Sequence, residues 1–180
     1  MNKKNHIFDF ILYGVLCLYI FIMVMMLFFQ FASPVGGFHG IRTYTRGINV
    51  IPLHDILLFL SGPVSLGLMI NNLLGNIVVF IPCGAYCALF NKNKGIPVNL
   101  LIVFSISLSA EILQYLFACG ISDIDDVLLN SLGGLIGIAC YLLLLRCLKS
   151  EALARRFFTI LSALLGIPAF VLIMALKSGG

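Results

Sequence analysis

Apolar side chains run along this chain in five long stretches separated by short polar breaks. The first extends from Phe10 to Phe31, twenty-two residues without a charge. The others run from about Asn72 to Phe90, Pro97 to Ala118, Val127 to Leu145 and Phe157 to Leu176. Each approaches the roughly 20 mostly apolar residues a helix needs to cross a bilayer. The pattern therefore predicts an all-α, polytopic membrane helix bundle of about five transmembrane helices, as a single membrane domain over residues 1–180. Lys3 and Lys4 precede the first stretch in the manner of a signal peptide. Its apolar part is too long for that and no small-x-small cleavage site follows, so it is read as a retained anchor.

The one long connection runs from Ala32 to Asn71, 40 residues rich in glycine, with Pro34, Pro52 and Pro63, and is expected to be mostly loop. Within it, Ile51 to Leu60 is apolar apart from His54 and Asp55. Ten residues cannot span a bilayer, so a short interfacial or re-entrant helix is expected there.

Composition sharpens the picture. Hydrophobic residues make up 61% and charged residues only 10%, with a mean hydropathy of +1.12. Soluble domains carry about a quarter charged residues, so a soluble enzyme, a disordered regulator and a nucleic-acid-binding domain are excluded. The net charge of +4 is read through the loops instead. When the sides alternate, one receives Lys3, Lys4, Lys92, Lys94, Arg146, Lys149, Arg155 and Arg156 and the other Arg42, Arg46 and Lys177. The positive-inside rule then predicts a multi-pass protein of the cell membrane with a cytoplasmic N-terminus and an outside C-terminus. Of six cysteines, four (Cys17, Cys83, Cys87 and Cys140) lie inside apolar runs and read as buried small hydrophobes rather than a disulfide framework.

Candidate chemistry lies in the outer half of the second, third and fourth spans. At 1.5 Å per residue, Glu111 sits about 10 Å below the outer end of its helix, and Gln114, Asn76 and Asn130 about 6 Å below theirs. Asn72 and Asp126 stand at the mouths of their spans. Spacings of three or four keep each set on one helix face. A charged carboxylate in hydrocarbon costs on the order of 3 kcal/mol and marks a functional site by default. Glu111 needs a partner, and Arg42, Arg46 and the amides of Asn76, Gln114 and Asn130 are the candidates; joining helices is the plain alternative. For Asp123, Asp125 and Asp126 three readings stand: a helix cap, a divalent-cation site with Glu111 in which Asp123 and Asp126 are the candidate ligands, or recognition of a cationic ligand. No cofactor beyond such a cation is expected. His39 and His54 are isolated.

The same residues resemble the VanZ-like membrane proteins. The elements are Arg46–Asn49–Pro52, then Asn72, Gly75, Asn76 leading into Phe80-Ile81-Pro82-Cys83-Gly84, then Ser107–Glu111–Gln114, and last Asp123 to Asp126 with Asn130, Gly133 and Gly134. The resemblance covers about 46–141. It departs at Cys119-Gly120-Ile121-Ser122, where the family often has an arginine, so a cationic partner for the acids would come from Arg42 or Arg46. The resemblance implies a bacterial envelope role, the namesake being associated with resistance to the lipoglycopeptide teicoplanin. Three functions follow as expectations. The first is a binding or shielding protein that engages a lipid-linked cell-wall precursor, a lipid headgroup or the drug through Arg46, Asn49, Asn72, Asn76, Glu111, Gln114, Asp123, Asp125, Asp126 and Asn130. The second is an intramembrane enzyme acting on a lipid or cell-wall precursor, with Glu111 and Asp126 as catalytic candidates. The third is a scaffold without its own ligand. The bilayer is the expected partner, and nucleic acid is not.

Overall fold

A computed structural model describes residues 3–29, 47–53, 57, 66–118 and 121–178. The elements are α1 (Lys3–Phe29), β1 (Gly47–Asn49), α2 (Leu66–Phe90), α3 (Ile96–Leu116), β2 (Ile121–Asp123), α4 (Ile124–Leu148) and α5 (Glu151–Ser178). Five helices are long and apolar enough to cross a membrane, in agreement with the five predicted spans and the all-α class. Four helices begin earlier than the apolar pattern indicates: α1 at Lys3 rather than Phe10 and α5 at Glu151 rather than Phe157 take in the charged residues that flank their apolar runs, and α2 and α4 also start early. α2 starts at Leu66 rather than Asn72, because Gly67, read as a loop signal, lies in an otherwise apolar run that continues the helix. α4 starts at Ile124 rather than Val127, because two aspartates occupy its first turn and complement the helix dipole. The short helix expected over Ile51–Leu60 falls largely outside the described residues; the Leu57 N–H donates to the Leu53 carbonyl at 2.9 Å. His39, Arg42, Arg46, His54 and Asp55 also lie outside them.

The chain divides into two compact units, Met1–Ala32 with Leu143–Gly180, and Ser33–Leu142. In the first, α1 and α5 run parallel. Asp9 pairs with Arg155 at 3.0 Å near the two N-termini, Arg156 lies 5.4 Å from the Phe8 ring, and further along Phe21 and Phe170 meet edge-on at 6.0 Å. A notch between them is lined by Phe21, Met25, Phe170 and Met174, all apolar.

In the second unit α4 packs closely between α2 and α3. A Cβ added to Gly133 or Gly137 would collide with the carbonyl oxygens of Ile77 and Ile81 on α2. One on Gly84 would strike the Gly134 carbonyl, and one on Gly134 would strike Val103 of α3. In lipid no hydrophobic force draws helices together, so backbone approach over small residues is what holds them. α2 runs on through Pro82 without a break.

The turn between α2 and α3 is closed by its own polar groups. Lys94 Nζ caps the end of α2 by donating to the carbonyls of Ala88 and Leu89 at 3.0 and 3.2 Å, and its ammonium lies 5.8 Å over the Tyr141 ring. The fully buried Asn99 donates to the carbonyls of Asn93 and Gly95 and accepts from Asn91. Pro97, within the first turn of α3, forfeits only an N–H that would have no helical partner. At the opposite end of this unit, Ala118 takes a left-handed φ of 53°, and its N–H donates to the Tyr115 carbonyl as α3 ends.

Candidate functional site

That opposite end holds the acidic residues. β2 connects α3 to α4 and pairs in parallel with β1, with Gly47, Ile48 and Asn49 opposite Ile121, Ser122 and Asp123. The apolar pattern does not foresee this pairing. Three residues per strand give too short a signal, and the partners are 74 residues apart. Its consequence is direct: Asn49 is brought against the start of α4.

Asp123 is the junction. As the residue before α4, its Oδ1 accepts from the Asp125 N–H at 2.8 Å, which is the geometry of an N-cap. Its Oδ2 accepts from Asn49 Nδ2 at 2.9 Å, and its own N–H donates to Glu111 Oε2 at 3.0 Å. One residue therefore ties the strand, α3 and α4 together. Asn49 completes its amide by accepting from the Ile51 N–H at 3.3 Å.

The second aspartate, Asp125, is buried and accepts from the Leu53 N–H at 2.5 Å. Leu53 has a left-handed φ of 64°, sterically unfavourable for a branched apolar residue. The third, Asp126, accepts from Asn76 Nδ2, joining α4 to α2. One turn further along α4, the fully buried Asn130 donates to Ser107 Oγ on α3 at 2.9 Å. Its Oδ1 has no hydrogen-bond partner among the described residues.

The structure thus brings together Asn49, Asn76, Glu111, Asp123, Asp125, Asp126 and Asn130. Gln114 is half-buried one turn beyond Glu111 on α3. Asn72 lies in α2, its side chain outside the described residues, as is Arg46. Ser107, part of the Ser107–Glu111–Gln114 element, is the partner of Asn130. Leu53 carries no sequence signal, because it acts through its backbone alone. Of the three readings of the aspartates, the cap is realised by Asp123. Among the described residues no three His, Cys, Asp or Glu side chains are placed to hold a metal ion. Asp123 and Asp126 turn oxygens to protein N–H groups, so a divalent cation would have to share them. What the cluster offers chemically is a set of carboxylate oxygens gathered at one end of three helices, suited to a ligand that donates hydrogen bonds or carries positive charge.

A family model described as VanZ/LLP1 matches residues 16–146. A relative, "Protein VanZ" of Enterococcus faecium, is 27% identical over 128 residues, 71% of each chain. No solved structure matches.

Proposed function

The chain belongs to the VanZ/LLP1 family of membrane proteins, and on that premise we propose that it binds or shields an envelope ligand at the acidic end of α2, α3 and α4. The ligand class is a lipid-linked cell-wall precursor, a lipid headgroup or a lipoglycopeptide, and the outcome is altered susceptibility to teicoplanin. The carrying observation is the convergence of Glu111 with Asp123, Asp125 and Asp126 through bonds that link Asn49, Asn76 and Leu53 to them. The excess of bases on the opposite loops supports an outward-facing site.

Glu111→Gln is the informative variant. The amide oxygen of Gln still accepts from the Asp123 N–H, so helix joining is kept while the charge is removed. Under the binding reading, the purified variant in lipid nanodiscs loses affinity for a lipid-linked precursor or for teicoplanin, and cells carrying it lose any shift in teicoplanin susceptibility. Unchanged affinity and susceptibility would reject it. A second reading, a scaffold without its own ligand, is favoured by one observation: both oxygens of Asp123 are already taken by protein donors. It predicts that Glu111→Gln behaves as the native chain while disruption of the glycine packing abolishes function.

A further inference from the structure

The strand β1, which lies against the acidic cluster through Asn49, is polar toward it and apolar on its other face. Asn49 bonds to Asp123, which is only 7% exposed, whereas Ile48 on β1 and Val50 just after it, on the other face of the strand from Asn49, are 60% and 71% exposed. The same character recurs at Ile51, Leu53 and Leu57, all exposed. A strand facing water shows the reverse alternation of β1, apolar in and polar out. A contiguous exposed apolar patch marks a surface that meets a partner or a membrane.

The level of this segment identifies which. β2 lies in the short connection between the end of α3 at Leu116 and the start of α4 at Ile124, two membrane-crossing helices. β1, in register with β2, is therefore held at the depth where those helices leave the hydrocarbon. Backbone can enter such a layer only when its polar groups are satisfied. Here strand pairing and the Leu53 bond to Asp125 supply part of that satisfaction.

We infer that β1 and the residues Val50 to Leu53 that follow it are immersed in the bilayer interface, their apolar side chains among phospholipid acyl chains, as a lid over the carboxylates. Resting on the binding reading above, this narrows the ligand class. The cluster is closed by a lipid-immersed lid and is reached sideways from the leaflet, which favours a polar headgroup carried on a lipid tail over a ligand arriving from water.

The test uses the full chain with its native cysteines replaced, reconstituted without ligand in phosphatidylcholine vesicles. An environment-sensitive fluorophore is attached at Ile48→Cys or Val50→Cys, with Ile160→Cys on α5 as the lipid control and Lys92→Cys in the α2–α3 turn as the aqueous control. Immersion predicts that brominated lipids remove as much emission at both test positions as at Ile160→Cys, and that iodide removes far less than at Lys92→Cys. Iodide quenching equal to the aqueous control, with no loss to brominated lipid, overturns it. A test variant that elutes as aggregate is replaced by Ile51→Cys in the same segment. Because no ligand is present, the two readings fail separately. An aqueous lid with Glu111-dependent binding removes lateral entry alone, and an immersed lid with Glu111-independent binding removes the ligand site alone.

Discussion

Asp123 serves three partners through one side chain and one N–H, and its substitutions separate those services. Asp123→Ala removes the cap and the Asn49 bond. Loss of a cap alone costs about 1 kcal/mol, and buried donors left unpaired add about 1–3 kcal/mol each. A clear fall in the thermal midpoint in detergent is expected. Asp123→Asn keeps an N-cap oxygen of similar strength but sets an amide against the Asn49 amide, so its midpoint should lie between the two. Equal midpoints for both variants would contradict the shared role. At this scale the sequence was partly legible. Intramembrane Glu111 and the i, i+4 pair Asp126–Asn130 stand out against an apolar background, because each is costly there. The distribution of roles was not legible. That Asp123 rather than Asp125 caps the helix depends on α4 beginning at Ile124. That Asn49 faces Asp123 depends on a pairing 74 residues apart, which no local pattern carries.

Helices α2 and α4 meet through backbone, and their glycines are not equivalent. A methyl on Gly137 would meet the Ile81 carbonyl and come 2.9 Å from the Ala85 nitrogen, whereas one on Gly75 meets nothing within 4 Å. Gly137→Ala should therefore destabilise by about 1–3 kcal/mol, the usual cost of overpacking. Gly75→Ala should be neutral or stabilising, by up to ~1 kcal/mol from helix propensity. Thermal unfolding of the two variants side by side checks this, and loss of stability in both would refute the packing. Interhelical bonds such as Asn130–Ser107 average roughly 0.6 kcal/mol in membrane proteins, so close packing outweighs any single polar link here. The span positions were readable because five apolar runs of bilayer length admit few alternatives. The starts of α2 and α4 were less so, since a helix can extend through Gly67 or begin on aspartates without altering the apolar count.

For the whole molecule, the parallel course of α1 and α5 places their N-terminal ends together, which fits an odd number of crossings. With the bases concentrated on one side, we expect an impermeant thiol reagent applied to intact cells to miss Lys92→Cys and to reach a cysteine appended after Gly180 in a chain otherwise free of cysteine. The opposite labelling would invert the proposed orientation and place the acidic cluster on the cytoplasmic side. The pairing of α1 with α5 also bears on how the protein is made. The first helix enters the membrane while its partner is still unsynthesised. At ordinary translation rates of about 5–20 residues per second, the interval is on the order of ten seconds. During that time Asp9 is without Arg155, and the faces of α1 that α5 will cover rest against lipid or against the insertion machinery. On emerging, α5 therefore completes α1, and a ribosome that stops short of α5 leaves behind a chain whose α1 is exposed to membrane quality control.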